Sequence, residues 1–128
     1  MAYKVSKRAF AQLVERALAE LPARFAAFLE EVPVQIETRP SRRLLRELGM
    51  DDDELLLGLY QGASLMDRVE SEGRWSPRPN HILLFQEDIE EVSDSEADLV
   101  REVRTTVLHE IGHHFGMDED DLDALGYG

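Results

Sequence analysis

A long helical repeat of apolar residues, over positions 95–115, constrains the fold of this chain more than any other stretch. Val100, Val103, Val107, Ile111 and His114 recur at spacings of three and four, which is the period of one face of an α-helix. A helix of this length is stable only when its apolar stripe is covered. We therefore expect its apolar face to pack on a sheet.

The sequence also marks where this helix and two earlier ones begin. Ser95, with Asp98 three residues later, comes close to a capping box. Ser6 is a candidate cap for a first helix, and Pro22 suits the first turn of a short second helix. The predicted inward positions of these two helices are Phe10, Leu13, Val14, Ala17, Leu18, Leu21, Phe25, Phe28 and Leu29.

Three short segments have the composition of strands. Residues 32–38 alternate apolar and polar side chains, with Pro33 favouring an edge position, and residues 55–60 and 81–85 are short apolar runs. Residues 41–48 predict one or two helical turns that end at Gly49, and residues 70–80 predict a loop. The predicted order is α-α-β-α-β-β-α, an α+β domain with a small sheet backed by helices.

Length and composition predict a single domain over residues 1–128 without disulfides. A chain of 128 residues buries roughly two-thirds of its unfolded surface, which is enough for a real core. The sequence has no cysteine, so disulfides, cysteine-based zinc sites and thiol catalysis are excluded. Any metal must therefore be bound by His, Asp or Glu.

The net charge and the length of the apolar runs predict the partners and the location of this protein. At −13 the chain lacks the basic surface that phosphate binding needs, so we predict no nucleic-acid partner. The apolar runs are too short to span a bilayer, and the first residues lack the pattern of a signal peptide. The expected location is the cytoplasm, without a membrane partner.

The chemistry of the chain is predicted from His109-Glu110-Ile111-Gly112-His113, which lies on the long helix. The two histidines differ by about 40° in direction and about 6 Å in height, so both imidazoles can reach one ion. Glu110 is then close enough to take a proton from a water whose pKa zinc has lowered to about 7. This spacing predicts a Zn²⁺ site bound by His109 and His113, with Glu110 as the catalytic base.

A third protein ligand is expected, because catalytic zinc usually has three and one open position. Gly116 suits the turn that ends the helix, and Glu119 follows three residues later at the expected spacing. Asp118 is the alternative third ligand, with a shorter reach. His114 is 100° around the helix from His113, so we expect a half-buried histidine on the apolar face.

One further histidine and three tyrosines are also candidates for a place in the site. His81 opens the third predicted strand, and we interpret it as a surface residue, although a cleft position is the alternative. Tyr60, Tyr127 and Tyr3 are candidates for stabilising an oxyanion, and nothing in the sequence selects among them. For Tyr60 a role in the core is favoured.

Residues 105–116 closely resemble the signature of a family of short bacterial zincin-like metallopeptidases. The resemblance extends to residues 57–62, to residues 82–85 and to the 20–22 junction, and so covers nearly the whole chain. It implies a minimal zincin fold, with a small mixed sheet packed on the active-site helix. Family members generally have Asp at the position of Glu119, so the choice between Glu119 and Asp118 stays open.

Two functions from different classes fit these features. The first is a zinc-dependent peptidase that cuts a peptide or protein substrate by attack of metal-activated water on an amide bond. The alternative is a non-catalytic metal-binding module that stabilises the fold or mediates a protein contact. The peptidase is the favoured hypothesis, and the alternative stays open because the few residues after the motif leave little room for a substrate-binding subdomain. Neither hypothesis fixes the oligomeric state.

Overall fold

The computed structural model describes residues 2–62 and 80–114, which form five helices and three strands. In chain order these are α1 (Lys7–Ala19), α2 (Ala23–Glu31), β1 (Val34–Glu37), α3 (Arg42–Glu47), β2 (Gly58–Gln61), β3 (His81–Phe85), α4 (Gln86–Glu91) and α5 (Glu96–His114). No helix in this part of the chain has the length and apolar character needed to cross a membrane.

The first two helices form as the sequence predicts. The Ser6 side chain accepts a hydrogen bond from the Ala9 N–H at 3.1 Å and so caps α1. Pro22 lies at the N-cap of α2, one position before the predicted first turn, and its carbonyl accepts the first helical hydrogen bonds. The predicted inward residues of both helices are buried or pack against the core.

The three strands form one mixed sheet in the order β1-β3-β2. β1 runs parallel to β3, and β2 runs antiparallel to it, which confirms the predicted small mixed sheet. Side chains alternate between the faces of a sheet. Ile82 and Leu84 therefore face the helices, whereas His81, Leu83 and Phe85 lie on the outer face. β3 is buried along its whole length because it is the central strand.

Two strands begin later than the sequence predicts. Val32 is buried at the C-cap of α2, and β1 starts only at Val34, at an edge of the sheet as Pro33 indicated. The segment before β2 is not strand because its backbone bonds elsewhere. The Leu56 N–H donates to the Asp88 carboxylate at 2.9 Å, and Leu55 is 45% exposed.

Helix α4 was absent from the sequence prediction. It follows β3 directly, with Glu87 and Asp88 in its first turn, where negative charge is favourable. Its buried positions include Gln86, Asp88 and Glu90 as well as Ile89, so it lacks the apolar stripe on which helix prediction relies. The predicted loop over residues 70–80 lies outside the described residues, apart from Asn80.

The long helix α5 is confirmed and forms the spine of the core. Ser95 accepts a hydrogen bond from the Asp98 N–H at 3.1 Å, while the Asp98 carboxylate accepts from Asp94 rather than from Ser95. The predicted apolar stripe is buried: Val100, Val103, Val107 and Ile111, together with Leu99 and Leu108. These residues pack against the sheet and α1. At the surface, the ion pairs Arg16–Glu96 and Arg104–Glu20 join α5 to α1 and its C-cap.

Candidate active site

The predicted motif lies in the last turns of α5. His109 and Glu110 are half buried, while their neighbours Leu108 and Ile111 are fully buried. The helix therefore keeps its apolar side in the core and presents these two polar residues at its margin. Position 113 is helical, one turn beyond His109, which agrees with the predicted spacing.

A backbone hydrogen bond fixes the carboxylate of Glu110. The Tyr60 N–H of β2 donates to Glu110 Oε1 at 2.8 Å, across 50 residues of sequence. The Phe85 N–H donates to the Leu57 carbonyl, so the alternation of an antiparallel ladder directs the Tyr60 N–H and C=O away from β3. Glu110 is therefore held on the side of β2 that faces away from β3, which is an outer edge of the sheet formed by the described strands. No sequence signal could have identified Tyr60 for this task, since every residue except proline carries the same donor.

The part of the site that the structure describes has donors suited to zinc. The Nε2 atom of His109 is shielded from solvent, and imidazole nitrogens with carboxylate oxygens are common zinc ligands. Within residues 2–62 and 80–114, no three described His, Asp or Glu side chains are grouped so that they could hold an ion. The His113 side chain, Asp118 and Glu119 lie outside the described residues, as do Gly116 and the His114 side chain.

The phenol of Tyr60 is shielded rather than presented to solvent. Its ring packs against the core, as the favoured interpretation of this residue predicted. Burial raises the pKa of the Tyr60 hydroxyl above its usual value, and a hydrogen bond with the Asn80 side chain partly offsets that effect. The hydroxyl therefore stays protonated over the physiological pH range. Tyr3 also packs against the core, and Tyr127 lies outside the described residues.

The surface interpretation of His81 is wrong. Its side chain is only 8% exposed, and its Nε2 lies 3.1 Å from Gln61 Oε1 on the neighbouring strand. His81 is on the outer face of the sheet, whereas α5 packs on the inner face, so it belongs to a different surface from Glu110. It lines an open cavity of about 450 Å³ with Phe85, Arg39 and Glu37. His81 is buried on the central strand, beside Gln61 of β2. Its position at the start of a predicted strand did not indicate that this strand would be central.

Comparison with known proteins places the chain in a family. The zincin-like metallopeptidase family matches residues 29–128, which include all of β1, β2, β3 and α5. A solved structure of a conserved hypothetical protein from Thermus thermophilus is similar, with 27% identity and a TM-score of 0.55. The match covers 87% of this chain and 94% of that one. No curated protein matches the sequence. The chain belongs to the zincin-like metallopeptidase family.

Proposed function

We propose that this protein is a zinc-dependent peptidase, in which His109, His113 and Glu119 hold the metal and Glu110 acts as the general base. Asp118 is the alternative third ligand. The observation that carries the proposal is the hydrogen bond from the Tyr60 N–H to Glu110. It holds a carboxylate at a sheet edge, beside a histidine whose Nε2 is shielded, in a family of metallopeptidases.

The chain's own residues would do the proton transfer. Zinc in such a site supplies Lewis acidity, which makes water acidic enough to lose a proton near neutral pH. Glu110 would take that proton and then give it to the leaving amine. Because one carboxylate oxygen accepts the Tyr60 N–H, the side chain is fixed in orientation before substrate arrives. Fixed orientation lowers the entropy cost of reaching the reactive geometry.

The proposed substrate is an extended peptide segment. The N–H and C=O of Tyr60 face away from β3, and the N–H bonds to Glu110. Peptides commonly bind beside a sheet edge as an added strand, which would bring a scissile bond beside this carboxylate. Because Glu110 already accepts the Tyr60 N–H, such a peptide would pair with other outward-facing backbone groups of β2. A protein with net charge −13 would disfavour strongly acidic segments. A bacterial origin and a cytoplasmic location stay predictions.

The Glu110→Gln variant tests the mechanism directly. The amide can still accept the Tyr60 N–H but cannot take a proton, so we expect unchanged zinc binding and a loss of peptide hydrolysis of about 10²–10⁴-fold. Glu102→Gln is the matched control, because it makes the same change two turns earlier on α5. The assay is zinc content by elemental analysis together with cleavage of a peptide library.

Two results would contradict the peptidase proposal. Hydrolysis by Glu110→Gln at the wild-type rate would remove Glu110 from the mechanism. Wild-type protein that binds zinc without cutting any peptide, and whose melting temperature falls when a chelator removes the zinc, would instead favour the non-catalytic metal-binding module.

A further inference from the structure

Strand β2 approaches α5 closely at Gly58. A Cβ atom added to Gly58 would lie 2.6 Å from Thr106 Cγ2 and 3.0 Å from the Leu83 carbonyl oxygen. The first distance is shorter than real Cβ atoms show, so either the strand or the Thr106 side chain must shift if a side chain is added at Gly58. Gly58 is buried and has no positive φ, so the requirement is the close approach itself.

The Gly58–Thr106 contact and the Tyr60–Glu110 contact are separated by nearly the same distance along β2 and along α5. Thr106 and Glu110 are four residues apart on α5, a rise of about 6 Å. Gly58 and Tyr60 are two residues apart on β2, a rise of about 6.8 Å. Gly58 therefore meets the helix at Thr106, and one turn later Tyr60 meets it at Glu110. The two contacts are successive steps of one strand-to-helix packing.

We infer that Gly58 is a positioning residue, whose missing side chain sets the strand-to-helix distance at which Tyr60 holds the Glu110 carboxylate. The 2.8 Å bond at Glu110 has little room to lengthen, because hydrogen bonds weaken beyond about 3.2 Å. An outward shift of β2 by about 0.4–0.8 Å would bring the Cβ contact from 2.6 Å to 3.0–3.4 Å, and it would stretch this bond to or beyond that limit. The functional consequence rests on the proposed role of Glu110 as general base, whereas the contact itself does not.

The test measures hydrogen exchange of the Tyr60 amide by NMR in the full-length chain. In Gly58→Ala we expect this amide to exchange about 10–100-fold faster, since it loses a hydrogen bond to a charged acceptor. Thr106→Ser removes the Cγ2 atom that the new methyl group would meet. The double variant Gly58→Ala with Thr106→Ser should therefore return the Tyr60 exchange rate to near the wild-type value. Thr106→Ser alone should leave it unchanged.

Glu110→Ala provides an independent reference, because it removes the acceptor without moving the strand. It should raise Tyr60 exchange to a similar extent. If Gly58→Ala does not fold, thermal melting of the double variant replaces the exchange comparison. Recovery of a cooperative transition on deletion of one methyl group then supports a clash confined to this contact.

Three results would overturn the inference. These are wild-type Tyr60 exchange in Gly58→Ala, wild-type exchange in Glu110→Ala, and a double variant that is no closer to wild type than Gly58→Ala. Absence of peptide hydrolysis in wild type would refute the peptidase proposal instead, and the exchange pattern would still decide the positioning role. If hydrolysis is found, Gly58→Ala should lower kcat with unchanged zinc content, and Thr106→Ser should restore it.

Discussion

The carboxyl group of Asp88 offers the sharpest test of how the segment before β2 is fixed. Asp88 is 7% exposed, and its carboxylate accepts the Leu56 N–H at 2.9 Å. Leu56 lies two residues before Gly58, the first residue of β2. Burial raises the pKa of this carboxyl above its ordinary value. The hydrogen bond from Leu56 and the charge of Arg39 oppose that rise, while Glu87 and Glu91 add to it.

The sign of the pH dependence follows from this raised pKa. The folded state binds the Asp88 proton more tightly than the unfolded state, so the contribution to stability is greatest at low pH. It is lost as the pH rises above the ordinary value of about 3.9 and through the folded pKa. Asp88→Asn keeps an oxygen acceptor and removes the charge. We therefore expect it to be more stable than wild type at neutral pH, with an advantage that disappears at about pH 3.

A second substitution measures the free energy of unfolding that depends on the Leu56–Asp88 hydrogen bond. Asp88→Ala leaves the Leu56 N–H without its acceptor, which costs about 1–3 kcal/mol relative to Asp88→Asn. For a chain of 128 residues that corresponds to a melting temperature lower by about 3–12 °C. Thermal melts by circular dichroism, comparing variants at each pH, separate this effect from the general titration of the acidic surface. Asp53→Asn, at an exposed position, is the control and should change little.

Two results would refute this reasoning. An Asp88→Asn variant less stable than wild type at neutral pH, by an amount independent of pH, would mean that the charged form is favoured in the fold. Equal stability of the Asn and Ala variants would mean that the Leu56 N–H does not depend on this acceptor.

Substitutions at three further positions test the fold by thermal or chemical unfolding. Ser95→Ala removes the cap of α5 and should cost about 0.5–2 kcal/mol, whereas Ser95→Asp should cost little. Gly49→Ala should destabilise by about 1–2 kcal/mol, because Gly49 has φ +72° with open space around it, so the strain is in the backbone alone. Leu99→Ala should cost about 2–5 kcal/mol through the cavity it leaves. A loss below about 0.5 kcal/mol would contradict the expected role of the substituted residue.

Four of the five helices in the described part of the chain were predictable because their signals are local. Ser6, Ser41 and Ser95 each lie three residues before the backbone N–H they cap, and that spacing can be found in the sequence. The burial of α5 also follows from its own period. Strand limits were less predictable, because Leu55 and Leu56 are as apolar as the residues of β2. The Asp88 side chain on α4 nevertheless accepts the Leu56 N–H, so this backbone group does not join the sheet.

The sequence by itself determined the α+β class, the long helix and the positions of His109, Glu110 and His113 along it. These depend on spacings of three and four residues, which the helix converts directly into neighbouring positions. Only the tertiary structure decided that Tyr60 donates to Glu110, that Gly58 meets Thr106, and that His81 is buried. Each of those contacts joins segments far apart in sequence, so it depends on strand order and on the strand-to-helix distance. The residue types alone predict neither the strand order nor the strand-to-helix distance.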